Sequence, residues 1–258
     1  MALQYFNGQG KVDIAGHSSG SPSGAFRWLG NAPSFKFIPE ATVSEHKESY
    51  TGNKAVDVRL RTELKGTVEI TFEQLDVENL KLLGVGESVS QAATPVSAET
   101  LVGSTTPAVG QVFYLANVDV SSLVITDSTG TPKTLTLNTN YLADTKSGRV
   151  ELIDITTGGA FVGPLKAAYT PAAVTRVKLF TAAAAEHWIV FSGINTAVSG
   201  SPKFRAEFYR VSFDPAELDL ITDGDQPAQF TLRGTALIDS TKAASSAFGQ
   251  LGRLDQLA

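Results

Sequence analysis

Apolar and polar residues alternate with a period of two along much of this chain. In "VDVRL", Val56, Val58 and Leu60 are interleaved with Asp57 and Arg59. In "TVEITFEQL", Val68, Ile70 and Phe72 share one face, and Glu69, Thr71 and Glu73 the other. "SFKF" does the same with Phe35 and Phe37, and "FRAEF" with Phe204, Ala206 and Phe208. Successive side chains of a strand point to opposite faces, so this pattern predicts strands with one face on a core. "QFTLRGTALI" extends the series, whereas "HWIVF" is apolar on both faces and is expected deeper. Clusters of Gly, Ser, Thr, Asn and Pro punctuate the runs, as in an antiparallel β domain.

Helical signals are few. Asp76 is suited to cap "VENLKLL", with Val77, Leu80 and Leu83 at helical spacing and Gly84 as the stop. A helix of two turns does not hold alone in water, so it is expected to lie on a sheet. "DPAE" offers Asp214 as a cap, Pro215 at the first helical position and Glu217 three residues on, enough for a single turn.

Composition divides the chain further. Residues 87–110 are small, polar and dotted with Pro and Gly, and closely spaced short strands follow, with turns at "DSTG", "TKSG" and "TGG". This predicts a small β module, residues 87–171, inserted in a core made of 1–86 and 172–258. The last twenty residues, 239–258, carry Phe248, Leu251, Leu254 and Leu257 three residues apart. So thin a stripe suggests an arm that packs on something else.

One interval stands out. "VSEHKESYTGNKAV", Val43 to Val56, separates two well-patterned strands where a hairpin needs only roughly two to five residues. The expected loop is Glu45 to Ala55, offering Glu45, His46, Lys47, Glu48, Tyr50, Asn53 and Lys54 to a neighbouring subunit. Closure entropy grows slowly with length, so stability within one subunit neither explains nor forbids such a loop.

Total charge and chemistry narrow the function. Net charge is −5, spread thinly, and no segment carries the basic stripe that phosphate neutralisation requires. The chain has no cysteine, hence no disulfide framework and no thiolate metal site. His17, His46 and His187 lie in separate segments. Glu45, His46 and Glu48 are metal-competent residue types, yet Lys47 sits among them and no second ligand pair is near, so a solvated loop is the plainer reading. Asp223 and Asp225 in "ITDGDQP" read as a turn. No nucleophile elbow or phosphate cradle occurs, and neither an enzyme nor a bound cofactor is expected. "MALQYFNGQGKVDIAGH" lacks a basic segment followed by an apolar one, so no signal peptide is read, and no apolar run approaches the ~20 residues of a membrane span.

The order of the pieces resembles a known family. "SFKFIPEATVSE", a polar loop, then "AVDVRLRTELKGTVEITFEQLDVENLKLLGVG" is similar to the first half of the tail tube (major tail) proteins of long-tailed bacteriophages. "HWIVFSGIN", "KFRAEFYRVSFDPAELDLI" and "FTLRGTALIDS" follow in the family's order, and the insert resembles small β modules of virion proteins. The match is one of order and pattern over most of the chain.

The resemblance implies a mainly β fold, a β-sandwich or partly open barrel with one short flanking helix and an inserted small β module. It implies a structural virion protein, made in the host cytoplasm and incorporated in the tail. Six copies would close into a ring, rings would stack into a tube, and DNA would be ejected through it without specific binding. The expected partners are other copies of the chain and other tail proteins (tape measure, terminator, baseplate), with no membrane. Glu69, Glu73 and Glu207 are candidates for an acidic channel wall, and Phe248, Leu251, Leu254 and Leu257 for a contact with the next ring. A carbohydrate-binding or adhesive β-sandwich module, and a tail terminator or baseplate hub with the same core, are the alternatives.

Overall fold

A computed structural model describes residues 5–183, 185–222, 224–245 and 247–256. The chain forms two compact units, Met1–Ser88 with Val177–Ala258, and Val89–Arg176. The fold is mainly β with one short helix, a large antiparallel sheet and smaller sheets, and no closed barrel.

In the first unit the strands are β1 (Gly8–Ser18), β2 (Ser21–Trp28), β3 (Ser34–Lys47) and β4 (Val56–Phe72), followed by α1 (Val77–Leu83). The second unit begins within β5 (Glu87–Gln91) and continues with β6 (Val96–Thr100), β7 (Val112–Tyr114), β8 (Val120–Thr126) and β9 (Thr134–Leu135). Then come β10 (Tyr141–Asp144), β11 (Arg149–Leu152), β12 (Lys166–Pro171) and β13 (Val174–Lys178), the last returning the chain to the first unit. β14 (Glu186–Asn195), β15 (Lys203–Phe213), β16 (Phe230–Ala236) and β17 (Gly252–Gln256) complete it.

The large sheet runs β2-β1-β14-β15-β16-β4-β3, with β17 added on β15. Its alternating apolar positions converge on one core: Val12 and Ile14 of β1, Val68, Ile70 and Phe72 of β4, Ile189 of β14, Phe208 and Val211 of β15, and Leu232 of β16. Phe35 of edge strand β3 stacks on Phe191 of β14 at 5.6 Å, so the sheet curls around this core without closing. β15 is shared along one side: its residues Val211–Phe213 pair with β16, while Phe204–Phe208 pair with β17. Sequence patterning missed β1 and β2, whose Gly- and Ser-rich residues join at Ser19–Gly20, both at positive φ, the geometry of a two-residue hairpin turn.

Helix α1 forms where expected. The Asp76 carboxylate accepts from Asn79 N at 2.7 Å, and Gly84 N donates to Leu80 O at 3.0 Å. Leu83 is fully buried against the sheet, which supplies the stability a seven-residue helix lacks. "DPAE" forms no helical turn. Asp214 N donates instead to Arg233 O (2.9 Å) and Ala216 N to Leu83 O (2.9 Å), so sheet and helix carbonyls outcompete the local capping box.

The second unit has two sheets, β6-β12-β8-β9 and β10-β11-β7, around Leu101, Phe113, Ile125, Tyr141, Val150, Leu152, Leu165 and Tyr169. Its turns are organised by aspartates. Asp144 accepts from Ser147 Oγ (2.6 Å) and Lys146 N (3.0 Å), and Asp154 from the Thr156 amide and hydroxyl (both 2.7 Å). These bonds occupy the carboxylates; Thr157 and Thr156 hold that of Asp154 well below its ordinary range. The division falls after Ser88 and after Arg176, where composition suggested 87–171. The later second boundary reflects β12, central in its sheet, and Ala172 N, which donates to Asp119 O at 2.9 Å.

Glu87 Oε2 and Lys178 Nζ are 3.3 Å apart, so the chain leaves and re-enters the first unit at adjacent points. Replacing residues 90–175 with a short Gly/Ser bridge should therefore leave a β-rich, cooperatively unfolding protein. Circular dichroism with thermal unfolding checks this, and loss of the cooperative transition would make 89–176 part of the first unit's folding core.

Candidate functional site

The interval read as a long loop is the outer half of a β-hairpin. β3 and β4 stay in register from Ser34↔Thr71 to Lys47↔Val56, with irregularities at Thr42/Val43 and His46/Lys47. Glu45, His46 and Lys47 are therefore strand residues, and the loop is only Glu48 to Ala55. The polar residues of "SEHK" hid the strand because they lie on a ribbon with water on both sides, where burial imposes no alternation. Likewise "VDVRL" and "TVEITF" are one strand of 17 residues.

The loop is built around one carboxylate. Glu48 is buried by its own loop and accepts from Tyr50 N (2.9 Å), Thr51 N (2.9 Å), Ala55 N (3.3 Å) and the Thr51 hydroxyl. Glu48 N closes the turn on Ala55 O at 2.8 Å. The Thr51 hydroxyl and amide, with the other two N–H groups, hold the Glu48 carboxyl down to about 2. Glu48 thus organises the tip and is not free for a partner. Tyr50, Asn53 and Lys54 are exposed, Lys54 at positive φ. Below the tip, His46 Nδ1 is 2.6 Å from Asp57, and Arg59 Nε is 3.8 Å from Glu45. Such exposed pairs contribute only ~0–1 kcal/mol each.

The distinctive feature is what β4 does beyond the core. Val68, Ile70 and Phe72 are 0% exposed. Farther out, Leu64, Leu60, Val58 and Val56 are 65, 59, 43 and 49% exposed. The register slips at Thr42/Val43 and His46/Lys47 divide them between the two faces. Leu64, opposite Ala41, keeps the core face with Arg61 and Arg59, whereas Leu60, opposite Ser44, and Val58, opposite His46, lie on the face of Glu63. The arm therefore holds apolar side chains in water on both faces. Gly66 marks the point of departure, since the Phe37 ring lies where a Cβ would sit, 2.5 Å from its nearest ring carbon. A two-stranded ribbon alone in water is marginal. Covering the four side chains would contribute about 1 kcal/mol each, because each is roughly half exposed and full burial of a Val or Leu is worth ~1.5–3 kcal/mol.

The candidate acidic wall is not free charge. Glu69 is bound between Lys36 (3.0 Å) on β3 and Arg233 (2.8 Å) on β16, cross-strand neighbours on either side. Lys36, then burial in the opposite sense, then Arg233 act on its carboxyl, and the balance lowers it. Glu207 is buried between Arg205 and Arg253, the latter at 2.6 Å. Lys36 and Arg233 thus set two cations against Glu69, whereas Arg205 and Arg253 are balanced by Glu207 and by Asp255, 3.3 Å from Arg253. Glu73 lies beyond the end of β4 and accepts from Asn31 Nδ2 (2.5 Å) and Gln229 Nε2 (3.2 Å).

The C-terminal residues do not form one stripe. Residues 252–256 are strand β17, paired with this chain's own β15. Leu251 packs on the core, Leu254 is 77% exposed, and Phe248 is half exposed beneath the Arg253 guanidinium at 4.8 Å. Leu257 lies outside the described residues. The three-residue spacing misled because strand pairing, with period two, governs this segment. Lys242 fixes the preceding loop, donating to Gly20 O at 3.2 Å with its ammonium over Trp188 (5.0 Å) and Tyr209 (4.7 Å).

No cluster of three or more His, Cys, Asp or Glu suited to a metal occurs among the described residues. His17 accepts from Gly20 N at 3.2 Å, and burial lowers the His187 pKa. No described helix is long and apolar enough to cross a membrane.

Residues 5–255 match the model of a family described as "Protein of unknown function UCP028589". The chain belongs to that family. No curated protein matches it. The match spans both units, so the inserted β module is part of what this family's sequence pattern includes.

The Glu48 carboxyl sits below its ordinary value near 4.5, so its contribution is complete above that value and is lost as pH falls toward 2. The loop should stay closed at pH 5 and open near pH 2, read by amide exchange at Tyr50, Thr51 and Ala55. At neutral pH, Glu48→Ala should speed tryptic cleavage after Lys54 at least ~10-fold without changing global unfolding.

Proposed function

We propose that this protein is a structural component of the virion of long-tailed bacteriophages that assembles into stacked hexameric rings, the tail tube through which DNA is ejected. The observation that carries the reading is the β3–β4 arm. Its outer half holds Val56, Val58, Leu60 and Leu64 about half exposed or more, and the described residues of its own chain leave them uncovered. Selection of side chains for burial, at positions where one subunit offers none, is what a chain shows when its partner is another copy of itself.

Two further features support it. The large sheet is open, with edges at β2 and β3, and joining edges around a ring removes unpaired strand edges that would otherwise invite uncontrolled association. Glu69 and Glu207 neutralise much of the basic charge in their rows, and the chain's net charge is −5. A wall without a strong basic field suits passage of DNA without specific binding. The adhesive alternative calls for an aromatic platform. Exposed aromatics of the first unit are dispersed, with Tyr5 and Phe6 before β1, Phe26 and Trp28 on β2, Tyr50 at the hairpin tip, Phe180 after β13 and Phe248 before β17, and Trp28 is topped by Lys11 at 5.3 Å.

Electron microscopy of the purified protein at high concentration should show rings or tubes; monomers throughout would overturn the proposal, and isolated rings would favour the terminator or hub. Leu60→Asp with Leu64→Asp should abolish these assemblies. Both positions are exposed in the subunit, so its unfolding free energy should change by no more than about 1 kcal/mol.

A further inference from the structure

We infer that a cleft beside helix α1 binds a small carboxylic acid with an apolar body, holding its carboxylate on Arg27. The cleft, about 760 Å³, is formed by the first unit alone, and no residue of the β3–β4 arm lines it. Small-molecule sites commonly measure ~300–1,000 Å³, so the volume suits such a ligand. One copy of the chain supplies every residue involved, so the site does not depend on assembly.

The walls are largely apolar. β1 and β2 contribute Ile14 and Ala25, α1 and its exit Leu82 and Val85, and β15 Phe213. The segment after β13 closes one side. Phe180 N donates to Gly84 O at 3.0 Å and Ala182 N to Val85 O at 3.1 Å, which ties that segment to the end of the helix.

Arg27 is the polar centre. Its side chain is partly buried, and its one side-chain hydrogen bond among the described residues goes to Asn79 Oδ1, at 2.7 Å. Asn79 is itself fixed: it is 1% exposed, and its Nδ2 donates to Leu29 O (3.0 Å) and Gln74 O (2.9 Å). The carboxamide therefore presents its oxygen to Arg27 and sets the guanidinium in place. A guanidinium has five N–H donors, so most of them are left for a ligand.

The carboxylates nearby are engaged elsewhere. Asp76 accepts from Asn79 N at 2.7 Å, and Glu78 from Lys81 Nζ at 2.9 Å. Glu87 Oε2 is 3.3 Å from Lys178 Nζ, and Asp214 is exposed to solvent. Burial lowers the Arg27 pKa and outweighs Asp76 and Glu78, which act on it through space. His187 lines the same cleft, and burial followed by the Arg27 charge keeps its imidazole neutral at neutral pH. A partly buried cation without a directly bonded counter-ion is stabilised by an anion that bonds it. The planar guanidinium matches a carboxylate, and the apolar walls match a hydrocarbon body.

Hexanoate, hexanol and hexylamine share one apolar body and differ in the head group. Titrated into the full-length protein and followed by NMR of the imidazole protons, hexanoate should bind at least ~10-fold tighter than hexanol, as a charge-assisted pair requires. Bound hexanoate should raise the titration midpoint of His187, since a nearby anion favours imidazolium, and leave the exposed His46 unmoved. Arg27→Gln should bind hexanoate no better than hexanol. Ala25→Glu, at an exposed position lining the cleft, should weaken hexanoate ~10-fold and leave hexanol unchanged, so the test stands even if Arg27→Gln fails to fold. Equal affinity of the native sequence for hexanoate and hexanol, tighter binding of hexylamine, or an unmoved His187 midpoint would each overturn the inference.

Discussion

The first unit depends on the apolar face of the inner half of a single strand, β4. Its inner half packs Val68, Ile70 and Phe72 against β14, β15 and β16 and closes the core. Its outer half runs past the last strand able to cover it, and register slips against β3 divide its exposed apolar residues between both faces. A period-two pattern buries residues only where a second layer faces them, and here that layer ends near Gly66. The departure is sharp: Phe37 lies over Gly66, and beyond it both strands of the hairpin are exposed almost throughout. The Glu48 loop then fixes the tip, so the arm ends in a defined turn.

The rest of the first unit is arranged around a sheet that curls without closing. β16 follows β15 for only three residue pairs, and β17 takes over the remainder of that side. This change of partner brings Arg253 to Glu207. The same strand exchange thus sets the charge balance around Glu207, with Asp255 of β17 3.3 Å from Arg253. In the β3-β4-β16 region, Lys36, Glu69 and Arg233 form a row across three strands, with Thr71 and Thr231 hydrogen-bonded at 3.0 Å one step along. Cross-strand pairing of this kind stabilises register as well as neutralising charge.

Much of this was legible in the sequence. Alternation identified β4, β15 and β16, Asp76 and Gly84 bounded the helix, and the Gly, Ser and Asp clusters of the second unit located its turns. Local chemistry decides these features: side-chain period, cap hydrogen bonds and turn geometry act within a few residues. Other features were decided by contacts between distant residues. His46 and its neighbours became strand because β4 supplied backbone partners, while "DPAE" lost its turn to Arg233 and Leu83 carbonyls. Glu69 and Glu207 looked like free acidic charge until the sheet order set Lys36, Arg233 and Arg253 beside them. The sequence by itself determined which side chains share a face only where a strand runs without a bulge, as at Val68, Ile70 and Phe72, since the pleat fixes that locally. The slips that part Leu60 from Leu64 were set by pairing with β3. Only the tertiary structure decided which faces meet protein and which meet water, because that depends on where the neighbouring strands stop.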